Sequence, residues 1–580
     1  IEEISSGWND GTFGYFIDLR NFGENGWRQY SPTNVMQGLG NFSWRGEKSD
    51  VDLTIAGNGS AMTGNGPVPV QLLDYQRNAV FTHPDKTSTE MFLTSLQGTT
   101  WATDKLELSG TAYFRQTLVP TFNGDNSEAV ACTDSNLMGY LCQESGDKLE
   151  PIIDTNGKLV KQTPFNSTAT QNTTQTNMRT GGVSAQGTSS YDIFGYENRF
   201  TAGGSFDQGN TTYSANSELG YLTSSRGTIG TGTYIDEGMI RLNTTTSYYG
   251  GYFTDTFNVD EQLSLTLAGR YNQAQVNLYD QAGTALNGNH TYQRFNPSGG
   301  ITYAFTEEFM TYASYNEANR APTAVELACS DPATPCRVPN AFLSDPELQQ
   351  VVAKTAEAGF RGTVKKFYGG SFDWSAGYFN TISSNDIQFI NSGIISGQGY
   401  FANVGQTLRQ GLEVSLNADY DPVRLGFNYM YLDATFQSPF ISNSPNNPYA
   451  NDLGQVFVRP GDSIPGVPDN VFKAYADWRI FEGFTFSTNL NYQSYQYLRG
   501  DESNQNAPVP GFVWVNLLAE YQYNKNFAVF GRVDNLFNSH YSNFGNFGDA
   551  SGTLGPAFNN PRFYGPGAPT GGWAGFRITF

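Results

Sequence analysis

Apolar and polar residues alternate with a period of two from one end of the chain to the other. Phe13, Tyr15, Ile17 and Leu19 alternate with Gly14, Asp18 and Arg20, and Leu106, Leu108, Ala112 and Phe114 with Glu107, Ser109, Thr111 and Arg115. The same pattern sets Leu263, Leu265, Leu267 and Tyr271 against Ser264, Thr266 and Arg270, and Leu412, Val414, Leu416 and Ala418 against Glu413, Ser415, Asn417 and Asp419. It recurs in Phe484, Phe486, Leu490 and Tyr492 and again at the C-terminus, where Ala574, Phe576, Ile578 and Phe580 oppose Gly575, Arg577 and Thr579. A period of two places successive side chains on opposite faces of a strand. These segments are long and carry Tyr, Phe and Trp near their ends. That pattern suits an antiparallel transmembrane β-barrel, with one face on hydrocarbon and the other on water, better than a soluble sandwich of short strands around one core.

The connections fall into two kinds. Short links at 45–50, 102–104, 259–261, 306–308, 421–422, 479–483 and 524–526 recur after every second strand, as the periplasmic turns of such a barrel do. Between them lie long polar segments at about 60–87, 119–178, 208–240, 272–290, 318–350, 382–399, 437–467, 496–510 and 538–570, read as extracellular loops. The alternation of turns and loops gives about 20 strands, the first at 10–22 and the last at 570–580.

Composition narrows the class. The 580 residues include 64 Gly, 34 Tyr and 42 Phe, with only 38% hydrophobic residues, a mixture that favours strands and turns. There is no run of about 18 apolar residues and hence no membrane-spanning helix of the usual kind. Ile1-Glu2-Glu3-Ile4 lacks the basic and apolar regions of a signal peptide, so the chain is expected to be a mature product or a fragment. A net charge of −21 disfavours nucleic acid as a partner and suits solvated acidic loops or the attraction of cationic species.

The four cysteines form two close pairs, Cys132 with Cys142 and Cys329 with Cys336, expected as local loop disulfides in an oxidising compartment. Three histidines and this cysteine spacing give no zinc ribbon. Asp125, Glu128, Asp134, Glu144, Asp147, Glu150 and Asp154 crowd the first cysteine loop, so its oxygen density makes Ca2+ a candidate loop ligand, although EF-hand spacing is absent. No resident cofactor is expected. Neither a nucleophile triad, a hydrolase carboxylate pair nor a phosphate-binding Gly loop is legible, and a non-enzymatic role is expected.

Several local motifs resemble, in order and spacing, those of the TonB-dependent outer-membrane receptors of Gram-negative bacteria. Val533-Asp-Asn-Leu-Phe-Asn-Ser-His-Tyr541 resembles the family's penultimate-strand motif, and Gly572-Trp-Ala-Gly-Phe-Arg-Ile-Thr-Phe580 its terminal strand. Asn403-Val-Gly405 with Gly411-Leu-Glu413, Ile464-Pro-Gly-Val-Pro468, and Asn319-Arg-Ala-Pro322 with Glu326-Leu327 and Glu357-Ala-Gly-Phe-Arg361 agree with it. Thr63-Gly-Asn-Gly-Pro67 and Phe81-Thr-His-Pro-Asp85 look most like receptors for ferric siderophores. The resemblance implies a barrel of about 22 strands around a plug. Thr12-Phe-Gly-Tyr-Phe-Ile-Asp-Leu-Arg20 resembles the third strand of such a barrel. Residues 1–580 are therefore expected to be the barrel domain, with the plug and first hairpin absent.

The same resemblance implies active import of a metal chelate in the bacterial outer membrane, most simply a ferric siderophore, with TonB as energy source. It also implies lipopolysaccharide and the barrel-assembly machinery as partners, the latter engaging Phe576, Ile578 and Phe580. A passive porin, or a receptor for cobalamin, another metal chelate or a saccharide, is the alternative. Aromatic faces suit planar chelate rings and arginine suits an anionic chelate, so Tyr75, Arg77, His83, Arg320, Tyr541, Phe544 and Tyr564 are the candidate ligand-binding residues. For Arg320 a salt bridge to Glu326 is the simpler expectation, and for the aromatic residues loop packing or an interfacial belt.

Overall fold

A computed structural model describes residues 1–127, 129–145, 148–284, 286–328, 336–337, 348–367, 369–391 and 398–580. Its dominant element is a 21-stranded antiparallel sheet in which each strand pairs with the next along the chain. The order is β1 (Glu2–Asn9), β2 (Phe13–Glu24), β3 (Thr33–Arg45), β4 (Ser49–Thr63), β5 (Asp85–Thr103), β6 (Leu106–Asn126) and β7 (Ala169–Ile193). Then come β8 (Tyr196–Leu222), β9 (Thr228–Asn258), β10 (Leu263–Asp280), β11 (Gly288–Thr306), β12 (Phe309–Arg320), β13 (Val351–Phe367) and β14 (Gly370–Ser384). The last third supplies β15 (Thr407–Tyr420), β16 (Val423–Phe436), β17 (Asn470–Phe481), β18 (Phe484–Gln493), β19 (Phe512–Asn524), β20 (Phe527–Asp534) and β21 (Gly571–Ile578). Tight turns and longer connections alternate along this meander, as the sequence pattern predicts.

Three details depart from the sequence reading. The sheet has 21 strands rather than about 20, and the first is Glu2–Asn9, which pairs with β2 from Glu2↔Asn21 to Asn9↔Gly14. Its Glu-Glu-Ile-Ser-Ser-Gly start hides the alternation. Second, the segments 208–240 and 272–290 are mostly strand, and strands also take up both ends of 119–178, as far as Asn126 and from Ala169. β7, β8 and β9 run for 25, 27 and 31 residues, and only 223–227 joins β8 to β9. A strand that continues beyond a membrane meets water on both faces, so Thr, Ser and Asn replace the apolar positions while the backbone ladder goes on. Third, β7 and β8 meet in the two-residue turn Phe194-Gly195, both at positive φ (54° and 86°), which suits the twist of a tight hairpin.

The outward face of the sheet is apolar and exposed. Leu19, Leu96, Leu267, Phe360 and Phe576, spread over five strands, are each half or more exposed, and so many bare apolar side chains need an apolar surrounding. On the opposite face polar side chains bond across strands: Tyr113 Oη donates to Asp207 Oδ1 at 2.7 Å and Tyr312 Oη to Glu357 Oε1 at 2.8 Å, while the Arg270 guanidinium lies 5.4 Å from the Tyr252 ring centre. Among the described residues no helix is long and apolar enough to cross a membrane.

The sheet also curls. Residues 64–84, which follow β4, pair with the segment that precedes β21, through Val68↔Tyr564 and Pro69↔Phe563. The two edge strands β1 and β21 each keep a single ladder partner, β2 and β20. Buried apolar clusters lie at the long-loop end and not between sheet faces: Leu242, Val276, Leu278 and Leu327 in one, and Ala434, Phe436, Val458 and Ile464 in another. This is the inverse of a soluble core.

Leu267→Arg on the apolar face should lower unfolding free energy in lipid vesicles by about 2–4 kcal/mol, whereas Thr266→Arg on the polar face should leave it nearly unchanged; urea titration of the two variants distinguishes the faces.

Candidate ligand-binding end

At the long-loop end, loops are held by arginines that bond to backbone carbonyls. Arg77 donates from Nη1 to Asn538 Oδ1 at 2.7 Å and from Nη2 to the carbonyls of Ser539 (2.8 Å), Gly567 and Ala568 (both 3.3 Å). Arg226 donates to the carbonyls of Phe81 (2.7 Å) and Val80 (2.8 Å), and Arg28 to those of Asn65, Gly66 and Ala79. Together they tie 25–32, 64–84, 223–227 and 535–570 into one body. A guanidinium presents several N–H groups in a fixed plane, so one side chain can serve carbonyls from two loops at once. Burial pulls Arg28 and Arg77 below the ordinary guanidinium value. Gln71 adds a reciprocal pair, donating to the Ala557 carbonyl and accepting from the Asn560 amide at 2.8 and 2.9 Å.

His83 belongs to the same seam. Its ring stacks on Tyr30 with centres 3.9 Å apart, Nε2 lies 3.2 Å from the Ser225 carbonyl, and its backbone bonds to Arg226 and Thr228. Desolvation lowers its pKa, opposed by the Ser225 carbonyl and reinforced by the nearby Arg226 charge. Tyr75 is 83% exposed, with its ring 6.4 Å from that of Phe558. Tyr541 packs on Phe512 at 4.7 Å, and Tyr564 sits in the small sheet that joins the early loop to the last one, where burial raises its hydroxyl pKa. Phe544 lies beneath the Arg499 guanidinium at 5.3 Å.

Arg320 forms a bidentate pair with Glu326 at 2.7 and 3.0 Å, and Glu326 also accepts the Thr323 amide at the start of a short helix. The structure therefore gathers Tyr75, Arg77, Tyr541 and Tyr564 at the seam between 64–84 and 535–570, sets His83 on the adjoining seam with 223–227, and places Arg320 at the rim of β12.

In the acidic loop Cys132 and Cys142 are bonded, with Cα atoms 5.0 Å apart; Cys329 lies outside the described residues, as does the Cys336 side chain. Asp134 caps a turn by accepting the Asn136 amide, Asp154 accepts the Asn156 and Lys158 amides, and Asp125 accepts the Thr82 hydroxyl. Glu128 and Asp147 lie outside the described residues, and among the described residues no three His, Cys, Asp or Glu are grouped to hold a metal ion.

Sequence reasoning read 437–467 as a long loop but missed the hairpin within it, Phe440–Asn443 with Gln455–Val458, which displays Ile441 and Phe457 on one face, with Arg459 beside Phe457. The signal was present as a short β-branched and aromatic run, Val456-Phe-Val458 between Gln455 and Arg459, inside a segment otherwise rich in Asn, Pro and Ser.

A curled antiparallel meander with one apolar exposed face, one polar face and loops knitted over one end is the arrangement of a membrane β-barrel. The chain belongs to the TonB dependent receptor-like, beta-barrel family, whose model matches residues 7–536. The probable TonB-dependent siderophore receptor PiuA of Acinetobacter baumannii is 25% identical over 252 residues, 43% of this chain but only 30% of that protein. The crystal structure of the siderophore receptor PiuA from the same species superposes with a TM-score of 0.72 at 13% identity, covering 99% of this chain and 79% of that one. The closed form of the ferric-catecholate import receptor Fiu from E. coli K12 gives 0.72 at 13% identity over 100% of this chain and 79% of its own.

Two outcomes follow for the seam. Arg77→Ala removes a charged donor that serves four acceptors, and local opening of 535–570 should become easier by about 2 kcal/mol, roughly thirtyfold in amide exchange. Because the folded-state pKa of His83 is depressed, its neutral form favours the closed seam. That contribution is present above the ordinary histidine pKa and is lost as pH falls toward the lowered value. Protection of 64–84, taken relative to the intrinsic amide exchange rate at each pH, should fall from pH 7 to pH 5, and His83→Gln should flatten that dependence.

Proposed function

We propose that this chain is the barrel domain of a bacterial outer-membrane receptor that captures a metal chelate, most simply a ferric siderophore, and imports it with energy delivered through TonB. The family match across residues 7–536 carries this reading. The siderophore-receptor description of PiuA supports it, as does an end where polar loops are stapled over the sheet mouth. In this reading residues 1–580 surround a plug, the apolar exterior sits in lipid and lipopolysaccharide, and Phe576, Ile578 and Phe580 meet the barrel-assembly machinery.

Tyr75, Tyr541, Phe544 and Tyr564 are the ring contacts proposed for the ligand. Arg77, His83 and Arg320 position the loops that carry them, because their donors are already committed to carbonyls, a stacked ring or Glu326. Import is physically an energised step, since an outer membrane has no nucleotide supply and a tightly bound chelate does not leave a binding loop unaided.

The test is uptake of radiolabelled ferric chelates by cells in which this receptor is the sole route, with and without TonB. Accumulation should fall to background when TonB is absent. Equal uptake in both strains, together with steady single-channel conductance of the purified protein, would replace the receptor reading with a passive pore.

A further inference from the structure

Four observations on the 437–469 loop converge on one surface. First, its hairpin lies on the inner side of the wall. Leu425 and Tyr431 of β16 are exposed on the apolar outer face, so the alternate residues Ala434 and Phe436 point inward; both are buried, and they pack on Phe440 and Val458 of the hairpin, with the Phe436 and Phe440 rings 5.0 Å apart. Second, Phe440 pairs with Val458 and Ile441 with Phe457; adjacent pairs face opposite ways, so Ile441 (51% exposed) and Phe457 (54% exposed) face away from the wall, over the mouth of the sheet.

Third, Arg459 lies two residues beyond Phe457 on the same side, its guanidinium 5.9 Å from the ring centre. Among the described residues it has no ion-pair partner; Asp462 accepts its backbone amide at 2.7 Å. Fourth, the neighbouring loop 494–511 repeats the arrangement, with Arg499 over Phe544 at 5.3 Å and likewise without an ion pair among the described residues. That loop is bonded to 437–469 through Asn504 Nδ2 to the Ser463 carbonyl (3.0 Å) and the Gly466 amide to the Tyr497 carbonyl (3.0 Å). Arg459 and Arg499 thus each lie over a phenyl ring with no ion pair among the described residues, in a chain of net charge −21.

We infer that Ile441, Phe457 and Arg459, with Arg499 and Phe544, form a recognition surface for an anionic metal chelate whose ligand groups are planar aromatic rings. The inference rests on the chelate-receptor reading and narrows it. Each guanidinium supplies charge and a flat face, the half-exposed Phe457 ring beside Arg459 adds a stacking face of its own, and Ile441 offers an apolar edge for the ring. A ring-free chelate such as ferric citrate would meet the charge alone, so Phe457 discriminates between the two classes and Arg459 serves both.

The experiment is equilibrium binding of ferric tris-catecholate and of ferric citrate to the detergent-solubilised protein, for the wild type, Phe457→Ala, Arg459→Ala and Arg459→Lys. Each variant is first checked for native heat-modifiable gel mobility. The wild type should prefer the catecholate chelate, Phe457→Ala should weaken only that chelate by roughly tenfold, and Arg459→Ala should weaken both, with partial recovery in Arg459→Lys. Folded variants that bind ferric tris-catecholate as tightly as the wild type would overturn this assignment and leave the receptor reading standing. So would a wild type that binds ferric citrate alone. A wild type that binds neither chelate nor any other ferric complex would overturn the receptor reading and this inference together.

Discussion

The constraint on which the whole molecule depends is backbone hydrogen bonding in a sheet whose outer face is apolar. A strand that crosses lipid has no water to satisfy its N–H and C=O groups, so each must be bonded to a neighbouring strand. The meander meets this demand with uninterrupted antiparallel registers, such as Ala169↔Gly220 to Ile193↔Tyr196 between β7 and β8. Once the ladder is in place, the period of two assigns every side chain to lipid or to the polar interior, and a one-residue slip would exchange the two sets. The apolar residues are then spent on the outside, and no packed interior remains to hold the loops.

The loop end is therefore organised by other forces. Arg28, Arg77 and Arg226 bond to carbonyls of loops far apart in sequence, and small apolar clusters such as Phe81 with Ala550 and Phe563 fill the spaces between them. Hydrogen bonds from a charged donor are stronger than neutral ones, and half-burial shields them from competition by water. In the proposed reading the arrangement also divides support from recognition. Arginines whose donors are saturated by carbonyls have little left for a ligand, whereas Arg459 and Arg499, held over phenyl rings and without ion pairs among the described residues, keep their donors available. Rigid struts and free recognition groups are thus different arginines on the same set of loops.

Much of this was legible in the order of residues. The alternation in β2, β6, β10, β15, β18 and β21, the short turns and the terminal aromatic pattern all follow from local side-chain chemistry, because a strand with one face on lipid must repeat every two residues. Where the strands outrun the membrane the signal fades. In β8 a run such as Gln208-Gly-Asn-Thr-Thr212 carries no apolar side chain on either face and reads as loop, although its backbone is fully laddered. Glu2–Asn9 escaped notice for the same reason, since its side chains carry no apolar row while its pairing with β2 is complete.

By itself the sequence determined the all-β class, the alternating faces, the turn-and-loop rhythm and the family, because each is written in neighbouring residues. Only the tertiary structure decided which loop residues work as struts and which stay open to a ligand. Arg77 and Arg459 are equally plausible binding residues in a linear text. The first has its donors occupied by carbonyls almost five hundred residues away along the chain, while the second is held over the ring of Phe457, and contacts across that separation are set by how the sheet curls rather than by any local pattern.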